Sequence, residues 1–237
     1  ELPVTTRRVQ HVLSSSENLE WRKNLGKPNL TEHHKLNRFE FATKYISWSE
    51  EWNNVLFSDE KKFNLDGPDG WQYYWHDLRK APDVKMSRNF GRGSQIVCGA
   101  FSFKGKLPLA WTKMKSEDYV EMLEISLIEH GETLMGPDFV FQQDNAAIHN
   151  SKLTKAWFSD RNIEVLDWPA CSPNLNPIEN LWSILARRIY ENGKQFDNVN
   201  MLKCRIRECW QQIDLILFMK SRLIEVIRNN GSYTHYL

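Results

Sequence analysis

Apolar residues recur along this chain with two periods, and the changes of period divide it into elements. From about Thr31 to Trp48, Leu36, Phe39, Phe41, Ala42, Tyr45 and Ile46 fall at helical spacing. A strand-rich block follows. Val55-Leu56-Phe57 is a short apolar run, and Lys62 to Leu65 alternates ahead of the turn Asp66-Gly67-Pro68-Asp69-Gly70. Trp71 to Trp75 and Gln95 to Phe103 are expected as further strands, with Leu107 to Thr112 continuing the second beyond a break at Gly105. Ser116 is expected to cap a helix that carries Tyr119, Val120, Leu123, Ser126, Leu127 and His130 on one face. Phe139-Val140-Phe141 reads as a strand, Leu153, Ala156, Trp157 and Phe158 as a helical stripe, and Val165-Leu166 as one more strand. Beyond Pro177 there is no proline, and three amphipathic helices are expected, on Ile178 to Ile189, Val199 to Ile213 and Ile216 to Ile227. This order of elements predicts an α/β domain built on a mixed sheet, not an all-parallel one.

The first thirty residues read differently. Thr5 to Leu13 has apolar residues at 9, 12 and 13 behind a threonine and is expected as a short helix. Ser14 to Leu30 is polar, contains Gly26 and Pro28, and reads as a connector. The chain therefore divides into a short helical extension, residues 1–30, and one domain, residues 31–237.

Composition narrows the class. At 237 residues, 41% hydrophobic and 26% charged, the chain builds a real core and is not a disordered or low-complexity sequence. No apolar run approaches the ~20 residues of a membrane span, so no membrane partner is expected. Cys98, Cys171, Cys204 and Cys209 form no CxxC pair, which fits reduced thiols inside a cell. The net charge of +1 hides two opposed blocks. Arg79 to Lys115 holds nine Lys/Arg against Asp83 alone, and Ser116 to His149 holds eight acids with no Lys or Arg. That arrangement fits a basic anion-binding surface beside a carboxylate-rich region, or equally a solvated loop next to a helix with an acidic face.

Three of the carboxylates stand at informative places. Asp59 is expected to end the strand begun at Val55, Asp144 follows the strand Phe139 to Phe141, and Glu179 opens the helix after Pro177. Acids just past strand ends project from a sheet edge, where open α/β sheets bind ligands. If the Pro177 helix packs on those strands, the three converge. Converging carboxylates raise one another's pKa and call for a counter-charge, which a pair of Mg²⁺ or Mn²⁺ ions would supply for phosphodiester chemistry. Singly, each also suits a structural role: Glu179 occupies a capping-box slot behind Asn176, and Asp59 and Asp144 suit loop starts.

The words around these residues are more specific. Phe141-Gln142-Gln143-Asp144-Asn145-Ala146-Ala147-Ile148-His149, then Leu166-Asp167-Trp168-Pro169, then Ser172-Pro173-Asn174-Leu175-Asn176-Pro177-Ile178-Glu179-Asn180-Leu181-Trp182 closely resemble the signature blocks of Tc/mariner superfamily DDE transposases. Val55 to Gly70 resembles the same family's first-aspartate block, and the 34 residues between Asp144 and Glu179 match its Tc branch. The resemblance covers about Thr31 to the C-terminus. It implies an RNase H-like domain with a five-stranded mixed sheet flanked by helices, and Asp59, Asp144 and Glu179 as catalytic ligands of two Mg²⁺ ions, with Mn²⁺ able to substitute. It further implies cut-and-paste transposition, with hydrolysis at the terminal inverted repeats and attack of the freed 3′-hydroxyl on a TA target. A homodimer on double-stranded DNA and a nuclear site of action in a eukaryotic host go with it. Asn174 departs from the pattern, since many relatives carry Asp there.

The resemblance also implies two helix-turn-helix units ahead of the catalytic domain. Thr5 to Leu13 resembles the tail of the second recognition helix, with Arg7 and Arg8 at DNA. Trp71 and Trp75 are expected inside, with Lys85, Arg88 and Arg92 on DNA phosphates. His149 is expected near the metal site or the scissile phosphate, or equally as a satisfied structural histidine. Two other readings remain open: a nuclease of RNase H type that cuts without joining, and a non-catalytic, host-recruited DNA-binding copy.

Overall fold

The computed structural model describes residues 5, 8, 11, 15, 29–68, 93–112, 115–213 and 219–236. The strand expected at Trp71 to Trp75 lies outside these residues, as do Arg7, Lys85, Arg88 and Arg92. Helix α1 (Glu32–Tyr45) starts at Thr31, whose side chain accepts from the His34 amide, while the His34 ring accepts from the Thr31 amide in return. It buries Arg38, Phe41, Ala42 and Tyr45; Leu36, counted with the apolar stripe, is 54% exposed.

The sheet is mixed. Strand β1 (Val55–Asn64) pairs antiparallel with β2 (Ser94–Ser102) and parallel with β5 (Val140–Gln142), which in turn pairs parallel with β6 (Glu164–Val165). Two short pieces, β3 (Gly105–Lys106) and β4 (Ala110–Thr112), both lie antiparallel along the outer edge of β2. The sheet thus has six strands where five were expected. The physical reason is a one-residue slip. Phe101 faces Lys106 while Cys98 faces Ala110, so one edge strand is split by a bulge at Leu107–Leu109. β1 also differs from its expected form. Its ladder with β2 runs without a break from Phe57 to Asn64, so Asp59 sits within a ten-residue strand and not at its end.

One face of the sheet is covered by helix α5 (Ile178–Ile189), α6 (Val199–Gln211), α7 (Met219–Arg228) and α1. The other carries α2 (Ser116–Leu123), which continues as a π-helical stretch over Glu124–Gly131 into the turn α3 (Glu132–Met135), and α4 (Lys152–Asp160). On α5 the expected stripe of Ile178, Leu181, Trp182, Leu185 and Ile189 is buried throughout. Each such aliphatic side chain contributes roughly 1.5–3 kcal/mol of burial. Most of the acidic block, Glu117, Glu121, Glu124, Glu129, Glu132 and Asp138, is exposed, so it is largely the solvated face that composition allowed.

Two buried arginines tie the covering helices to the loop that precedes α5. Arg38 donates from Nε to the Gly231 carbonyl at 2.7 Å, from Nη1 to Ser172 Oγ and Asn174 Oδ1, both at 2.9 Å, and from Nη2 to the Ser232 carbonyl at 3.1 Å. Arg222 on α7 donates to the Asn174 carbonyl and to Asn180 Oδ1. Asn174 itself donates to Thr234 Oγ1 at 2.7 Å, so its amide makes one bond of each kind. Asn176 completes the clamp by donating to the Ser58 carbonyl at 2.9 Å.

Gly99 faces Asp59 across the β1–β2 ladder, beneath the Trp182 ring. A Cβ there would lie 2.7 Å from Trp182 Cη2 and 3.3 Å from Leu109 Cδ2. Gly99→Ala is therefore expected to lower unfolding stability by about 1–3 kcal/mol through overpacking, read as a reduced urea midpoint at unchanged slope. A midpoint equal to the parent's would show that the indole can shift without cost.

Candidate active site

Asp59, Asp144 and Glu179 come from three separate elements and meet at one end of the sheet. In the parallel β1–β5 ladder Phe57 stands beside Gln142, so two residues further along each chain Asp59 stands level with Asp144. β5 stops at Gln142, which leaves that side of β1 open at Asp59. Alternation places Asp59 on the face of Phe57 and Phe63, the face covered by α5. Trp182 and Glu179 are three residues apart on α5 and so share a helix face. Trp182 Nε1 donates to Asp59 Oδ2 at 2.8 Å, which brings Glu179 over the same edge. Asn176 Oδ1 accepts from the Ile178 amide at 3.3 Å, but the Asn176 amide donates to the Pro173 carbonyl, so the reciprocal capping role open to Glu179 is not taken up.

The electrostatics report the same convergence. Burial pushes the Asp59 carboxyl up to about 8, with the Glu179 and Glu60 charges adding to the rise against the bond from Trp182. Glu179 is also raised, by burial first; Lys61 draws it down and Asp144 pushes it up. Asp144 is the exception. It is held below the usual range, chiefly by His149, whose Nδ1 lies 2.6 Å from Asp144 Oδ1, and also by the Ala146 amide at 2.9 Å.

His149, expected near the metal site or the scissile phosphate, lies against Asp144. It is 2% exposed, and its ring nitrogens face Asp144 and, at 3.4 Å, Glu60 Oε1. Burial alone would lower its pKa, but the two carboxylates outweigh that and raise it to about 9. Sequence reasoning missed Glu60 as a member of this group. The only signal was its place next to Asp59, and alternation sends the two side chains to opposite faces. Arg8 is exposed in a helical turn, where DNA could reach it.

A cleft of 290 Å³ opens beside Asp144, lined among others by Asn145, Asn150, Lys155 and Asp167. Among the described residues, no three His, Cys, Asp or Glu side chains are grouped closely enough to enclose an ion as they stand. Asp59 Oδ2 is turned to Trp182, and Asp144 Oδ1 to His149 and Ala146. The donor set nonetheless suits a hard divalent cation: three carboxylates, two of them raised by burial and by neighbouring acids.

A stability signature follows. Asp59 binds its proton up to about pH 8 in the folded protein and only to about 3.9 when unfolded, so stability falls as pH rises through that window. His149 acts in the same direction: the stability it adds is complete below about 6.5 and lost as pH rises through about 9. Asp59→Asn is expected to raise the melting temperature in metal-free buffer near pH 8 and to flatten its decline between about pH 4 and 8. Thermal melts across that range check this, and a variant with the parent's slope would refute it.

The family model described as DDE superfamily endonuclease matches residues 54–203. The transposable element Tc3 transposase of Caenorhabditis elegans is 45% identical over 244 residues, covering all of this chain and 74% of that protein. The Tcb2 transposase of Caenorhabditis briggsae is 32% identical, covering all of this chain and 90% of its own length. Among solved structures, the Mos1 transposase paired-end complex with left transposon end is similar in fold, with a TM-score of 0.77 at 18% identity over 97% of this chain and 72% of that one. Mos1 has also been solved as a paired-end complex with Mn and as a strand transfer complex. With the sheet, the signature blocks and these relatives in agreement, the chain belongs to the DDE superfamily of endonucleases, among the Tc/mariner transposases.

Proposed function

We propose that this chain is the catalytic region of a cut-and-paste DNA transposase in which Asp59, Asp144 and Glu179 hold two divalent cations, Mg²⁺ or Mn²⁺. The observation that carries the reading is the meeting of these three carboxylates, from β1, the end of β5 and the start of α5, at one sheet edge where burial and mutual repulsion raise two of them. When bound, the cations would supply Lewis acidity, activating water or a 3′-hydroxyl and stabilising charge on the leaving oxygen.

The chain's own residues do the positioning. Trp182 holds one oxygen of Asp59 and shields it from water, His149 and the Ala146 amide hold one oxygen of Asp144, and the clamped Asn174–Asn176 loop sets where α5 begins. The cleft beside Asp144 gives a DNA strand access, with Lys155 exposed at its rim for a phosphate. DNA is the partner in this reading: the element's terminal repeats first and a TA target second, on a homodimer; the Mos1 paired-end complex with left transposon end and the Mos1 strand transfer complex support a DNA partner. Residues 31–237 form the catalytic domain, with residues 1–30 as the end of a helix-turn-helix unit. Arg7, Arg8, Lys85, Arg88 and Arg92 add phosphate contacts. The nucleus of a eukaryotic host is the place of action.

The test is strand transfer of a labelled, pre-cleaved duplex end into a TA-rich plasmid with Mg²⁺ or Mn²⁺, beside an Asp144→Asn control. Joined product that disappears in the control, with DNA affinity retained, is the expected result. Nicking without joining would favour the RNase H-type nuclease. Cleavage by Asp144→Asn at the parent's rate would refute the metal-binding assignment.

A further inference from the structure

β1 sends two adjacent carboxylates to opposite faces of the sheet, and only Asp59 stands with Asp144 and Glu179 as a candidate ligand. Glu60 points to the α2 face, where its side chain is 10% exposed. Its Oε1 faces His149 Nε2 at 3.4 Å, an ion-pair contact and not a directed hydrogen bond, and neither buried atom has a hydrogen-bond partner. The other ring nitrogen meets Asp144 Oδ1 at 2.6 Å. The imidazole is fixed in the remaining directions as well. The Tyr119 ring lies against it at 4.5 Å between centroids, Tyr119 Oη donates to Gln143 Oε1 at 2.8 Å, and Gln143 Nε2 donates to the His149 carbonyl at 3.5 Å. The loop that carries His149 is closed by its amide donating to the Ala146 carbonyl at 3.0 Å.

Asp144 needs such a support. Its side chain is 55% exposed and lies beyond the last ladder pair of β5, so the sheet does not fix its rotamer. Both bonds that hold it, from His149 and from the Ala146 amide, end on Oδ1. Oδ2 takes neither of these bonds.

We propose that Glu60 and His149 are positioning residues for the cation site. The run from Glu60 through His149 to Asp144 is a strut that sets Asp144 against β1, the strand that also carries Asp59, and leaves Asp144 Oδ2 free to coordinate. The proposal rests on Asp144 being a metal ligand. It goes beyond that by assigning a fourth carboxylate, on the far face of the sheet, to geometry and not to coordination. Outer partners of metal ligands fix their orientation in this way, and losing one weakens metal affinity by about 10–100-fold.

The experiment is a Mn²⁺ titration of the whole chain, with free Mn²⁺ read from its paramagnetic resonance signal and melting temperature measured alongside. Glu60→Met and His149→Leu each remove one partner of the strut and keep an apolar group of similar length; the melting temperature separates a loss of binding from the destabilisation that an unpaired buried partner brings. Both are expected to weaken Mn²⁺ binding by about 10–100-fold. Glu60→Gln, which keeps an acceptor facing His149, is expected to recover most of the loss while folding as the parent does. Parent-like Mn²⁺ affinity in Glu60→Met, or no recovery in Glu60→Gln relative to Glu60→Met, would overturn the proposal. If His149→Leu fails to fold, the Glu60 pair decides alone. A parent that does not bind Mn²⁺, or an Asp144→Asn variant that binds it equally well, would bring down the metal-site reading and this inference together. Loss in Asp144→Asn with no loss in Glu60→Met would remove the inference only.

Discussion

Like charges gathered at one sheet edge repel, and much of the polar architecture of this protein holds them there. Two unit charges about 6 Å apart cost roughly 3 kcal/mol at an effective dielectric of about 20, a sizeable part of the 5–15 kcal/mol that keeps a domain folded. Asp59 answers this by remaining protonated to about pH 8 and accepting from Trp182. Asp144 keeps its charge by taking bonds from His149 and the Ala146 amide. Glu179 is the least constrained of the three, with Lys61 as its nearest compensation. Each carboxylate is therefore met by a different means, and each means comes from a different element.

The scaffold behind them joins parts of the chain that are far apart in sequence. The family match spans residues 54–203, yet α1 before it and α7 after it pack together and hold the loop leading to α5 through Arg38 and Arg222. The Asn176 bond to the Ser58 carbonyl then fixes that loop beside Asp59. A charge as deeply buried as Arg38 is tolerable only because its nitrogens find carbonyl, hydroxyl and amide oxygens all round.

Helices were the most legible part of the sequence. On α5, Ile178, Leu181, Trp182, Leu185 and Ile189 recur at helical spacing, and packing against one sheet face makes that spacing necessary. The strands were harder. Asp59-Glu60-Lys61-Lys62 has no apolar alternation and reads as a loop, yet it is strand because β2 supplies a continuous ladder across the site's edge. Leu36 and His130 were misjudged for a related reason, since a periodic stripe does not say how wide its buried part is. The acids of the site were visible through family words and strand ends. The Glu60–His149 pair was not, because a contact across 89 positions that depends on which face each side chain takes leaves no local trace.

The Arg38 hub carries a genetic consequence. Two of its acceptors, the carbonyls of Gly231 and Ser232, lie among the last residues of the chain, and Thr234 bonds Asn174 from the same segment. A copy of the gene that acquired a stop codon before Gly231 would still encode every acid of the site, and a reader scanning for those acids would score it intact. It would nevertheless leave a buried guanidinium short of partners next to the loop that sets Glu179. Integrity of such a copy is better judged with the codons for Gly231, Ser232 and Thr234 included than from the acids alone.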